Sequence, residues 1–179
     1  MTLIRTVLIK GISTLVLLLI HATVFAQQVA NIDEFNRAVA HAKPGDTIVL
    51  ANGEWKDVEL IFKGKGTEDK PITLTAQTPG EVVITGRSNL SLSGEYLVVD
   101  GLVFTRGYTP TGEVIAFRTS PTALASYSRL TNVVIDNFSH PERQLSDLWL
   151  AIYGKHNRIG HNTFVNKRNR GGNRGGANK

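Results

Sequence analysis

The sequence predicts an all-β chain wound as a parallel β-helix and closed at its N-terminal end by one short helix. Three observations carry this. From residue 46 onward, apolar residues fall into short runs such as "DTIVLANG", "VELIF", "PITLTAQ", "EVVITG", "YLVVDGLVF", "NVVIDNF" and "LWLAIYG". Gly, Asn, Asp or Pro separates them, and no second helical pattern of any length intervenes. Within that region "VVDGLVF" (98–104), "RLTNVVI" (129–135) and "RIGHNTF" (158–164) share one layout, and Phe104, Ile135 and Phe164 stand 31 and 29 residues apart. A β-rich repeat of that size is what successive coils of a solenoid look like, whereas a Greek-key sandwich lacks it. Finally, the chain has no cysteine, so an exported protein of this kind must be held by packing alone, as stacked coils are.

The N-terminus reads as a secretory signal over residues 1–26. Arg5 and Lys10 make a positive start, "GISTLVLLLI" an apolar stretch, and Val24 and Ala26 a small-residue site with cleavage expected after Ala26. The apolar run is shorter than the ~20 residues of a membrane span, so the expected product is secreted or periplasmic, with no membrane attachment after cleavage. The formal charge is +5, but its distribution matters more. Lys167, Arg168, Arg170, Arg174 and Lys179 crowd the tail, while residues 27–165 hold 13 basic and all 15 acidic residues. The body is therefore slightly acidic, and basicity gives no reason to expect a nucleic-acid partner for it.

The mature domain, 27–165, opens with "NIDEFNRAVAHAKPGD". Asn31 followed by Glu34 fits a capping box. Phe35, Ala38, Val39 and Ala42 then recur at helical spacing until Pro44-Gly45, which predicts a helix over 33–42 serving as lid on the first coil. In the coils, Asn132, Asn137, Asn157 and Asn162 are expected at turns, in left-handed backbone geometry. Asp100 and Asp136 read as turn carboxylates. "HPER" (140–143) reads as a loop with a local Glu142–Arg143 ion pair.

The stretch 133–171 is the most specific. Its pieces "IDNFSHPER", "IYGKHNRIGHNTF" and "NKRNRG" occur in order and at close spacing, with weaker support from "PGDTIVLANGEW", "KPITLTAQTPGEVVITG" and "LVVDGLVFTRG". Over about 31–171 the chain resembles the N-terminal half of polysaccharide lyase family 6, the alginate lyase and chondroitinase B group. Asn166 stands where that pattern leads one to expect Gly. The resemblance implies a right-handed parallel β-helix that cleaves acidic polysaccharides by β-elimination. In the intact family Ca²⁺ neutralises the uronate carboxylate, a Lys removes the C5 proton and an Arg stabilises charge or protonates the leaving oxygen. Those residues belong to later coils, so no catalytic or metal-ligating residue transfers to this sequence. The fragment is expected to bind no Ca²⁺ and to be inactive, with an exposed end coil that favours self-association. A non-catalytic carbohydrate-binding β-helix and a chondroitinase B-like glycosaminoglycan lyase fragment remain open alternatives.

The tail "NKRNRGGNRGGANK" (166–179) reads as disordered or out of frame. The family resemblance implies a strand like "VTVAVR" after "RNRG". Dropping one G from a coding string compatible with residues 171–178 yields Gly-Val-Thr-Val-Ala-Val-Arg. RNA binding is the competing reading, but the tail has no aromatic residue to stack on bases.

Site candidates follow from the chemistry of a polyuronate such as alginate, which needs cations for carboxylates and rings for sugar faces. Tyr153 and Lys155 follow the strand "LWLAI", and Lys167, Arg168 and Arg170 lie in the matched "NKRNRG". These five are the expected substrate contacts. His156 and His161 have poor spacing for a transition metal.

Overall fold

The structure, a computed structural model, describes residues 26–169. The expected signal segment before Ala26 and the tail from Arg170 onward lie outside the described residues.

Alternating apolar residues build three parallel sheets. The first stacks β1 (Ala26–Val29), β2 (Thr47–Leu50), β5 (Ile72–Ala76), β8 (Leu97–Asp100), β12 (Arg129–Thr131) and β15 (Arg158–Gly160). The second stacks β3 (Gly53–Lys56), β6 (Val82–Arg87), β9 (Val103–Tyr108), β13 (Val134–Asp136) and β16 (Thr163–Val165). In the third, β4 (Glu59–Lys65) pairs with β7 (Asn89–Glu95), on which both β10 (Glu113–Ala116) and β11 (Ala125–Ser126) rest, and β14 (Leu148–Ala151) lies on β10. Each coil visits the three sheets in that order, giving a right-handed parallel β-helix of about four turns.

Register makes the inward residues into columns, because side chains alternate between the two faces of a strand. Trp55, Ile84, Phe104, Ile135 and Phe164 are cross-strand partners in the second sheet. Ile48, Leu74, Val99, Leu130 and Ile159 form the matching column in the first. The repeat Phe104–Ile135–Phe164 legible in the sequence is therefore one physical column. Phe138 packs edge-on against Phe104, ring centroids 5.6 Å apart, and joins this column to the corner after it.

The lid is α1 (Ile32–His41). Asn31 is extended, and its Oδ1 accepts the Glu34 N–H at 2.9 Å. Glu34 reaches back to accept the Ala30 N–H at 2.8 Å, one residue earlier than the usual capping box. Phe35 and Ala38 are buried, and α1 lies against β1, β2 and β4. The helix stops before Lys43 because the residue preceding Pro44 disfavours helical geometry.

The corners refine the turn prediction. Asn132 (φ 54°) and Asn137 (φ 52°) are left-handed as expected, but Asn157 and Asn162 are not; the preceding His156 (φ 56°) and His161 (φ 58°) are. Asn157 and Asn162 act through their side chains instead. Asn157 Oδ1 accepts the Ser128 N–H at 3.0 Å, and its amide donates to the Ala125 and Tyr153 carbonyls. Asn162 does the same for Val133 N–H and the Leu130 carbonyl. Each replaces backbone bonds that the ladder loses at a bend, so buried polar groups stay satisfied. Asn166 (φ 60°) explains its own departure from Gly: it takes the left-handed position and donates to Asp136 Oδ1 at 2.8 Å. Asn132 treats Asp100 likewise, so both aspartates are turn groups as read from the sequence.

Candidate functional site

A shallow groove of about 730 Å³ runs along the edge of β14, the last described strand of the third sheet. β10 and β14 supply its floor in the register Glu113↔Leu148 and Ile115↔Leu150. Leu150 continues the inward column of Leu60, Leu90 and Ile115, and it is only half-buried because no described strand of this sheet lies above β14.

Tyr153 stands at one edge of the groove and is tied down. Its hydroxyl donates to Glu113 Oε1 at 2.7 Å. Arg118 pairs with the same carboxylate, Nη2 to Oε1 at 2.7 Å, and its guanidinium carbon lies 4.0 Å from the Tyr153 ring centre. The hydrogen bond to Glu113, helped by burial and by the Glu113 charge, raises the Tyr153 pKa above the usual phenol value. The phenol is thus a neutral hydroxyl near neutral pH. Glu113 and Arg118 were not recognised in the sequence. A signal existed: one coil of offset sets Glu113 under Leu148, and continuing it past Ala116↔Ala151 sets Arg118 under Tyr153. Lys155 lies two residues on, exposed, its backbone N–H donating to Ser126 Oγ. Its ammonium has no carboxylate partner among the described residues.

The opposite edge of the groove holds a second cluster. Asp147 is 4% exposed and pairs with Lys167. Asn169 donates to Asp147 Oδ2 at 2.8 Å and to the Leu145 carbonyl, and Lys167 donates to Asn169 Oδ1 at 2.7 Å. The Lys167 ammonium also lies 5.1 Å from the Trp149 ring centre. Lys167 therefore clamps the 139–147 loop onto the last coil, and its charge is met inside the protein. Arg168 is exposed and anchored only by its backbone N–H to Ser139 Oγ at 3.2 Å. Arg170 lies outside the described residues.

The five sequence candidates thus divide. Tyr153 and Lys155 share the corner after the third sheet; Lys167 and Arg168 share the corner before it. In the "HPER" loop, His140 Nδ1 accepts the Glu142 N–H and its ring meets Tyr108 edge-on. The expected Glu142–Arg143 ion pair does not form; both side chains are exposed, where such a pair gains little. Among the described residues no three His, Cys, Asp or Glu side chains converge.

Comparison with known proteins places this geometry. A family model described as chondroitinase B matches residues 29–173. The PL6 family alginate lyase AlyGC is similar at 58% identity with a TM-score of 0.80, over 80% of this chain and 20% of that one. A PL6 family polysaccharide lyase from Pseudopedobacter saltans is 36% identical, TM-score 0.73, over 80% of this chain and 32% of that one. A mannuronic acid specific family 6 lyase from human gut microbiota is 31% identical, TM-score 0.73, over 80% of this chain and 34% of that one. No curated protein matches this chain. The chain spans from a fifth to a third of the length of these solved relatives. With four coils in common register and the family model matching most of its length, the chain belongs to the chondroitinase B family, the family 6 polysaccharide lyases.

Proposed function

We propose that this chain forms substrate-binding coils of an exported lyase acting on alginate or a related polyuronate by β-elimination. The observation that carries the reading is the 58% identity to an alginate lyase across the described coils. The groove on the third sheet fits it chemically. Tyr153 offers a fixed neutral hydroxyl at its edge, and Lys155, two residues on in the adjoining corner, an exposed cation for a carboxylate. At the corner before the third sheet Arg168 adds a second exposed cation, while the charge of Lys167 is met by Asp147. The alginate lyases among the chain's relatives favour alginate over a glycosaminoglycan, although the family model carries the chondroitinase name.

Elimination requires a base at C5 and charge neutralisation of the uronate carboxylate. None of the described residues is assigned to either task. The expected behaviour of the purified chain is therefore retention on alginate without turnover. Affinity electrophoresis in alginate gels measures the first, and ultraviolet absorbance of the unsaturated uronate measures the second. Loss of retention would remove the substrate assignment; a rise in absorbance would remove the claim of binding without chemistry.

Export belongs to the same proposal. Cleavage after Ala26 leaves Gln27–Val29 to pair with Ile48–Leu50 of β2. Self-association is proposed from exposed apolar side chains on the last coils, Ile152, Phe164 and Val165. A concentration-independent monomer in sedimentation velocity would contradict it.

A further inference from the structure

We infer that a second groove, along the corner from the third sheet to the first, is a binding track for an acidic polysaccharide; the choice of a uronate chain rests on the reading above. The groove, about 620 Å³, is lined by Tyr96, Tyr127, His156, Arg129 and Arg158, with Glu68 at its lower end.

Two independent features mark it. The first is an aromatic stack. Tyr96 and Tyr127 have ring centroids 5.0 Å apart at 15°, and Tyr127 and His156 are 4.7 Å apart at 21°. All three are left-handed, with φ of 52°, 53° and 56°. Bulky side chains rarely occupy that region, at a cost of about 1–2 kcal/mol each. The other corners fill the equivalent position mostly with Gly101, Asn132, Asn137 and Asn166, which tolerate it. Strain retained in several successive coils is characteristic of functional sites. Stacking between coils offsets part of the strain and explains the column's rigidity, but not the second feature.

That feature is a pair of arginines. Arg129 and Arg158 are direct cross-strand partners on the outer face of the first sheet, with Val98 below. Both are exposed, and neither has a carboxylate partner among the described residues. Like charges opposite one another destabilise a ladder. Glu68 faces the lower end of the groove and Glu95 is occupied by Lys65 at 3.5 Å. The upper groove therefore presents two guanidinium forks, one per coil, beside rigid ring edges carrying a polar tip per coil. A linear chain with a carboxylate on each sugar matches both periodicities. Guanidinium forks pair carboxylates bidentately, and exposed ring tips hydrogen-bond hydroxyls.

The test is affinity electrophoresis of the full chain in alginate, in a second acidic polysaccharide, chondroitin sulfate, in a neutral glucan and in single-stranded RNA, comparing wild type with R129Q/R158Q and with K155Q. The inference expects retention by alginate that salt weakens, about tenfold weaker for R129Q/R158Q at low salt, and no retention by the glucan. Thermal melts should show R129Q/R158Q as stable as wild type or more so, since a like-charge pair has gone. Alginate retention unchanged in R129Q/R158Q but lost in K155Q overturns the inference and leaves the substrate reading standing. No alginate retention, with arginine-dependent retention by another acidic polysaccharide, supports the groove and overturns the alginate reading instead. Arginine-dependent preference for RNA, or no retention by any acidic polymer, overturns the inference.

Discussion

Replacing Phe104 by alanine tests the columns on which the whole fold depends. Phe104 is fully buried between Ile84 below and Ile135 above, and meets Phe138 edge-on. Phe-to-Ala changes in such cores cost about 3–5 kcal/mol, of which the aromatic pair supplies about 1 kcal/mol. Phe164 occupies the same column two coils higher, yet is 41% exposed. With less area to lose, its truncation is expected to cost about 1 kcal/mol. The pair of variants holds residue type and column constant and varies only what lies above. Urea unfolding followed by far-UV circular dichroism measures both. Should Phe104→Ala not fold, Phe104→Leu, expected to cost about 1–2 kcal/mol, keeps the comparison available. Equal costs at the two positions would refute the view that each coil is stabilised by its immediate neighbours.

Other outcomes follow from the caps, corners and clamps. Asn31→Ala is expected to cost about 1 kcal/mol of stability by removing the helix cap. The Glu34 carboxyl is held below its usual pKa by the Ala30 N–H and the Asn31 side chain. Its contribution is present above the ordinary carboxylate pKa and lost as pH falls through the lowered value, so melts of wild type and Glu34→Gln should converge in acid. Tyr153 behaves oppositely: its stabilisation is complete below the free phenol pKa and lost as pH rises through the raised value, and Glu113→Gln should bring its spectroscopic titration down. Gly94→Ala should destabilise by about 2 kcal/mol or more, because Gly94 has φ 115° and a Cβ there would lie 1.8 Å from the Gly64 carbonyl oxygen. Lys167→Ala should cost about 2–3 kcal/mol by leaving Asp147 buried without its partner, a figure discounted because solvent reaches Lys167.

The sequence made the columns readable because inward residues obey one strong constraint, burial, and repeat it every coil. Phe104, Ile135 and Phe164 stand out for that reason, as do Asn31 and Glu34 at the cap. The site was harder to read. Tyr153 and Lys155 were visible as an aromatic and a cation after a strand, but Glu113 and Arg118 were not, because their meaning depends on contacts with a tyrosine one coil further along the chain. Lys167 looked like a free cation since nothing local reveals that Asp147 is buried beside it. The histidines at 156 and 161 took the left-handed positions predicted for the asparagines after them, because those asparagines satisfy backbone groups of the coil below.

The same periodicity that stabilises the solenoid also shapes what it can bind. Core columns tolerate little variation, since each side chain packs against the coils above and below. Outward columns carry no such constraint, so a corner can place one tyrosine, histidine or arginine per coil at a spacing fixed by the backbone ladder. That spacing makes an array rather than a pocket, and an array matches a polymer better than a small molecule. The corner from the third sheet to the first has this form twice over: Tyr96, Tyr127 and His156 in one column, Arg129 and Arg158 in the other. A linear polyanion lying along either column meets repeated contacts at no extra cost in ordering the protein, because the rungs are already rigid. Affinity in such a system should rise with polymer length until the chain outruns the array. Oligosaccharides of increasing length should therefore bind with increasing affinity and then level off, whereas affinity independent of length from the shortest oligomer would place recognition in a single local pocket.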